Sequence, residues 1–176
     1  MTLTPYTHVD RDAYISLYEN AFPACERKPL ELMERDRDYD LWVISTPDVR
    51  VAGMVITVRH GALVLLDYLA VDPVLRGQGI GHAVLPLVRQ QYADECLFLE
   101  IEAPDESADN AEQRRRRKAF YLSAGLCECG VRVGMYGTDM ELLSYPEDAP
   151  LVTFEGYAAL VGAKFPASMG LPEIKS

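Results

Sequence analysis

The chain has 176 residues, with 27 Asp and Glu against 17 Lys and Arg for a net charge of −10, and 49% of its residues are apolar. A chain of this length buries roughly 70% of the surface it exposes when unfolded, enough for one domain's core without a disulfide or metal staple; the composition excludes a disordered or fibrous chain. The acidic balance is the reverse of a duplex-binding domain's, whose affinity comes from neutralising phosphates, no apolar stretch reaches membrane-span length, and no basic-then-apolar leader opens the sequence. The expectation is a soluble, cytoplasmic protein with neither nucleic acid nor membrane as partner.

In chain order, Tyr14, Ile15, Leu17, Tyr18 and Phe22 predict a helix over 10–21 behind a capping-type Asp10, ended by Pro23. A short exposed helix is expected over 29–37. Residues 41–45 (LWVIS) form a buried-type strand, Pro47-Asp48 a turn, and 51–59 its hairpin partner, with His60-Gly61 as the next turn and a third strand over 62–71. Beyond Asp72-Pro73 the pattern changes. The glycine-rich run Arg76-Gly77-Gln78-Gly79-Ile80-Gly81 leads into an amphipathic helix over 79–93, and a strand over 96–101 (CLFLEI) completes a β-loop-α-β unit. A polar loop over 104–113 precedes a helix over 114–124 ended by Gly125. Residues 126–136 and 139–143 predict a closing hairpin around Tyr136-Gly137-Thr138, and the Pro-rich tail carries one weak helix over 153–164.

Metal chemistry finds no support in the spacing of its usual ligands. Cys25, Cys96, Cys127 and Cys129 contain no C-x-x-C, and His8, His60 and His82 lie far apart. No structural metal is expected, and the thiols are read as reduced.

Three glycines between a strand and a helix let the backbone approach a ligand closely, and unpaired N–H groups at a helix start attract anions. A Walker loop would end in Lys-Ser/Thr, but Gly81 is followed by His82-Ala83. A dinucleotide loop requires G-x-G-x-x-G or a closing Ala, and Gly77-x-Gly79-x-x leads to His82. What remains is an anion-binding turn of another kind, or a helix cap built from small residues.

The run Tyr68-Leu69-Ala70-Val71-Asp72-Pro73-Val74-Leu75-Arg76-Gly77-Gln78-Gly79-Ile80-Gly81 resembles the acetyl-CoA loop of the GNAT N-acetyltransferase superfamily. That pattern is Gln/Arg-x-x-Gly-x-Gly/Ala after a strand ending in Leu-Ala-Val, and Arg76, Gly79 and Gly81 fill it. Residues 117–126 (RKAFYLSAGL) are similar to the family's aromatic-Tyr-x-x-x-Gly-Phe segment, and the order of elements over about 10–144 is also similar. The resemblance implies an α/β (α+β) fold with a central, mixed, mostly antiparallel sheet of about six to seven strands, splayed or bulged at the acetyl-CoA site. It gives a transferase domain over 1–146 and a C-terminal extension over 147–176. Backbone groups of Leu69, Ala70 and Val71 would pair with the pantetheine arm, and amides of Arg76, Gly77, Gln78, Gly79, Ile80, Gly81 and His82 would hold the pyrophosphate. Acetyl-CoA is the implied co-substrate, with no metal. Pairing of closing strands between two subunits is common in the family, so a homodimer is one expectation.

Acetyl transfer from a thioester to an amine needs a neutral amine, a polarised carbonyl and a proton for the departing thiolate. Glu100 and Glu102 share a face of their strand. Glu100 resembles the glutamate some bacterial members of the family use as general base; its alternative is a solvent-facing acid. Asp67 is the second choice. Tyr121 is the expected proton donor, its alternative being core contact between helix and sheet. Where many members carry Asn on the helix before this tyrosine, the chain has Arg114 and Arg117, and the loop over 103–113 is long. The run Arg114 to Arg117 could reach a CoA phosphate or balance nearby acids. His82 could cap its helix or donate to phosphate, whereas His60 falls in a turn. Tyr14, Tyr18, Trp42 and Tyr68 could line an acceptor pocket or fill the core.

With no cysteine placed as an evident nucleophile, transfer is expected to be direct, to a primary amine of a small molecule or protein. The alternative is a non-catalytic acetyl-CoA-binding regulatory module. The length of the acyl group stays open.

Overall fold

Runs rich in β-branched and aliphatic residues form the strands, and each change to helical spacing forms a helix. The computed structural model describes residues 1–135 and 137–175. In chain order it holds β1 (Thr2–Pro5), α1 (Arg11–Ala21), α2 (Leu30–Arg35), β2 (Tyr39–Ser45), β3 (Gly53–His60), β4 (Leu63–Val71) and α3 (Ile80–Gln91). β5 (Cys96–Glu102), α4 (Ala111–Ser123), β6 (Cys127–Met135), β7 (Thr138–Ser144), α5 (Phe154–Lys164) and β8 (Glu173–Ile174) follow.

The strand order is β1-β2-β3-β4-β5-β7-β6-β8. β4 and β5 run parallel, as a β-loop-α-β unit requires, while β1/β2, β2/β3, β5/β7, β6/β7 and β6/β8 are antiparallel. This is the expected mixed α/β fold on a mostly antiparallel sheet flanked by helices. Among the described residues the strand count rises to eight because of two short strands, β1 and β8. Neither carries an apolar alternation. β1 is exposed apart from Leu3, and both residues of β8 are exposed. They form because a neighbour offers an edge: β1 pairs Thr2↔Ser45 to Pro5↔Trp42, and β8 pairs Ile174 and Glu173 with Val133 and Gly134. No helix among the described residues is long and apolar enough to cross a membrane.

Two compact units emerge, Met1–Val58 with Leu66–Ala93, and Arg59–Leu65 with Asp94–Ser176. In the first, Tyr14, Tyr18, Met33, Ile44, Met54, Ile56, Val84 and Leu85 are core residues. The helix expected to be exposed over 29–37 is shorter and half sunk: Leu30 and Met33, three apart and so on one face, are buried, while Leu32 stays in solvent. Gly53 opens β3 where a Cβ would stand 2.6 Å from the Ala70 carbonyl oxygen, so only glycine allows this approach to the end of β4.

In the second unit, β4 pairs with β5 at Leu63↔Cys96, Val64↔Leu97 and Leu65↔Phe98. β5 then pairs β7 from Phe98↔Ser144 to Glu102↔Met140. The expected closing hairpin is β6 and β7, with a register irregularity between Glu128 and Arg132. Its turn includes Tyr136, which lies outside the described residues. The weak helix of the tail is α5, capped by the Thr153 hydroxyl on the Gly156 amide at 3.1 Å and buried along Tyr157, Leu160 and Val161.

Candidate active site

The turn after β4 is organised by its own backbone. The Asp72 amide donates to the Ala52 carbonyl at 2.9 Å, and the Asp72 carboxylate accepts from the Val74 amide at 2.9 Å. A 3-10 turn over Pro73–Leu75 follows. Gly77 and Gly79 then take left-handed conformations, φ +76° and +78°, which side chains with a Cβ resist. α3 begins directly after, its first bond running from the Ala83 amide to the Gly79 carbonyl at 3.0 Å. Among the described residues, the amides of Gly77, Gln78, Gly79, Ile80 and Gly81 meet no protein acceptor. Ile80 buries its side chain and anchors the turn, while Arg76, Gly77, Gln78, Gly79 and His82 are exposed. Unpaired amides at a helix N-terminus, beside the positive end of its dipole, form a site suited to an anion. Just upstream, Leu69 and Val71 are half-buried and Ala70 is buried. The Val71 carbonyl accepts from Arg76 Nε at 3.1 Å, so the Arg76 side chain braces the strand end.

The three candidate carboxylates have different partners. Asp67, on β4 in the first unit, has a side chain only 5% exposed and forms an ion pair with the equally buried Lys28 ammonium at 2.6 Å. Burial pushes its carboxyl above the usual carboxylate range, while the Lys28 ammonium pulls it down. Lys28 is itself fixed along its backbone: its amide donates to the hydroxyls of Tyr18 and Tyr68 at 3.0 and 3.2 Å. Glu102, on β5 in the second unit, is ion-paired with Arg114 at 3.0 Å and Arg117 at 3.2 Å, and accepts from the Asn110 amide group at 3.1 Å. Glu100, half-buried on the same strand, accepts a hydrogen bond from the Tyr157 hydroxyl of α5.

Tyr121 lies on α4 in the second unit, half-buried, with the Phe120 ring edge-on at 4.9 Å. Desolvation pushes its phenol up to about 12, against the pull of the Arg117 guanidinium. The arginine run answers the local acids. Arg115 pairs with Glu106 and Glu112, Arg116 with Glu112 at 2.8 Å, and Arg114 and Arg117 with Glu102. α4 also begins three residues earlier than its apolar pattern indicates, at Ala111, with the Arg114 amide on the Asn110 carbonyl at 3.0 Å.

Other residues singled out by sequence fall into the framework. Tyr14, Tyr18 and Tyr68 are core residues; Tyr14 donates to the Val55 carbonyl, and half-buried Trp42 donates to the Tyr92 hydroxyl. His60 ends β3 instead of sitting in the turn, which Gly61 makes at φ +62°. Cys25 is exposed, Cys96 buried, and Cys127 and Cys129 half-buried. Sequence reasoning missed Lys28 and Tyr157. The signal for Tyr157 is the cap residue Thr153 followed by Phe154, Tyr157, Leu160 and Val161 at helical spacing.

The element order, the parallel β4/β5 step and the turn opening α3 define a class of enzyme, the acyl-CoA-dependent acetyltransferases. The chain belongs to the acetyltransferase (GNAT) family, whose sequence profile matches residues 9–116. Its fold is shared by solved structures of low identity. A GNAT-family protein from Bacteroides thetaiotaomicron has a TM-score of 0.67 and 20% identity, over 82% of this chain and 86% of that one. The ribosomal-protein-S18-alanine N-acetyltransferase of Escherichia coli has a TM-score of 0.62 and 21% identity, over 82% and 92%. The spermidine N-acetyltransferase of Vibrio cholerae, solved with CoA and spermine, has a TM-score of 0.66 and 13% identity, over 84% and 96%. No curated protein sequence matches the chain.

Proposed function

We propose that the protein transfers the acetyl group of acetyl-CoA directly to a primary amine of a small molecule or protein. The observation that carries this is the set of unmet amides at Gly77 to Gly81, presented on two left-handed glycines at the start of α3. These amides, with those of Arg76 and His82, receive the CoA pyrophosphate, and backbone groups of Leu69, Ala70 and Val71 run beside the pantetheine arm. No metal enters the reaction.

Glu100 acts as general base. Asp67 and Glu102 are each engaged by cations in ion pairs, Lys28 in one case and Arg114 with Arg117 in the other. Glu100 accepts a hydrogen bond from the Tyr157 hydroxyl, and its match to the family's glutamate makes it the candidate. It takes a proton from the substrate ammonium, directly or through water, and the freed amine attacks the thioester carbonyl. The C–N bond forms and the C–S bond breaks; Tyr121 gives its proton to the departing thiolate, the nitrogen's second proton returns to Tyr121, and Glu100 releases its proton to solvent. A phenol near 12 keeps its proton throughout the neutral range, so the donor is always loaded.

A cationic acceptor suits a chain of net charge −10, and neighbours of this fold include spermidine and aminoglycoside N-acetyltransferases. The protein would work in the cytoplasm, with a homodimer formed through its closing strands. A thiol-release assay with acetyl-CoA over polyamines, an aminoglycoside and an N-terminal alanine peptide tests the reading. At least one acceptor should turn over, and Tyr121→Phe should slow it about a hundredfold or more. Coenzyme A binding with no turnover on any amine would point to a regulatory module instead.

A further inference from the structure

Tyr157 lies outside the residues that match the family profile and inside the tail helix, yet its hydroxyl donates to Oε2 of Glu100, 57 residues away in sequence. We infer that Tyr157 is a positioning residue for the general base, a role that rests on the reading of Glu100 given above. The helix fixes where the hydroxyl arrives. Tyr157 is fully buried, its ring stands edge-on to Phe98 at 6.3 Å, and Leu160 and Val161 are buried on the same side. The Thr153 cap sets the start of the helix. At Gly156 a Cβ would come within 2.8 Å of Leu63 Cδ1, so the absence of a side chain lets α5 lie close to the first residues of β4.

A glutamate side chain on a strand rotates about three bonds, and its terminal torsion is soft. A rigid donor on one carboxylate oxygen holds the plane of the group, and a base must be held within a few tenths of an ångström to meet the proton it removes. Along the same face of β5, Glu102 is already paired with Arg114 and Arg117, and β7 sets Leu142 opposite Glu100. The tail helix therefore supplies a hydroxyl where the neighbouring strand offers an aliphatic side chain.

The test is a double-mutant cycle of wild type, Tyr157→Phe, Glu100→Gln and the double variant, with kcat and KM measured on one turned-over amine and CoA affinity by calorimetry. Tyr157→Phe keeps the ring; it should lower kcat about ten- to a hundredfold, the range for losing one hydrogen bond to a charged group, and leave CoA affinity unchanged. Glu100→Gln should lower kcat further, and the double variant should be no slower than Glu100→Gln alone. Equal slowing by Tyr157→Phe in both backgrounds, or no slowing in the wild type while Glu100→Gln is impaired, would overturn the positioning role. A Glu100→Gln variant with wild-type kcat would instead remove the base itself. Should Tyr157→Phe not fold, site-specific 3-fluorotyrosine at 157 serves, being a stronger donor of similar shape. It should lower kcat in the wild type and leave Glu100→Gln unchanged, and an unaltered wild-type kcat would again contradict the role.

Discussion

Asp67 in the first unit and Glu100 in the second are both carboxylates on strands next to apolar residues, and one meets an ammonium where the other accepts from a phenol hydroxyl. Asp67 is sealed with an ammonium, its side chain 5% and that of Lys28 3% exposed. Glu100 is half-buried and accepts a hydrogen bond from the Tyr157 hydroxyl. The residue type is the same in chemistry, and the proposed roles differ: a structural brace at Asp67 and a base at Glu100. An ion pair in the interior holds the chain that passes it: Lys28 ties the segment between α1 and α2 to β4 through its side chain and through its amide on Tyr18 and Tyr68.

The contrast can be broken most strongly at Lys28. Lys28→Met leaves Asp67 buried without its cation, and should cost about 3–5 kcal/mol in chemical denaturation, the range for one partner removed from a buried pair. Lys28→Met with Asp67→Leu should regain most of that loss. A double variant as unstable as the single one would mean the pair does more than neutralise charge.

A smaller effect sharpens the comparison at Asp10, a second carboxylate of the first unit held by a cation. The Arg50 guanidinium beside it, with help from Thr7, holds its carboxyl below the usual range against the desolvation that raises it. Because the folded-state pKa lies below the unfolded one, its stabilisation is present above about pH 4 and is lost as pH falls through the folded value. Asp10→Asn should therefore cost about 1 kcal/mol at pH 7. The gap to wild type should close on acidification, as denaturant midpoints at pH 7, 4 and 2.5 would record.

How much of this was legible in the sequence follows from how local each feature is. The strand, turn and helix over 62–91 were readable because glycine spacing and an Asp-Pro turn act within a few residues, and the proposed anion site needs only amides, which every residue but proline supplies. The sunk face of α2 was obscured by the charges around Leu30 and Met33. β1 and β8 carry no pattern because their neighbours' edges form them. The partners of the carboxylates were out of reach for another reason: Lys28 and Asp67 are 39 residues apart, and Tyr157 and Glu100 are 57 apart. Only the tertiary fold brings such pairs together, so sequence could name Glu100 first and Asp67 second without showing what either carboxylate meets. The arginine run read as ambiguous for the same reason, since Glu102, Glu106 and Glu112 absorb it.

The claim on which the account depends most is that main-chain amides at the start of α3 hold the cofactor's diphosphate. Calorimetric titration of coenzyme A and of pantetheine, which lacks the phosphates, into wild type, Gln78→Ala and Gly79→Val tests it directly at fixed salt. The account predicts that wild type and Gln78→Ala bind coenzyme A alike, because only the backbone of residue 78 is used. Gly79→Val, forced at φ +78° into a conformation that costs a β-branched residue about 1–2 kcal/mol or more, should weaken coenzyme A about tenfold while leaving pantetheine unaffected. Equal affinity of wild type for coenzyme A and pantetheine, or a Gly79→Val variant that binds coenzyme A as wild type does, would contradict it.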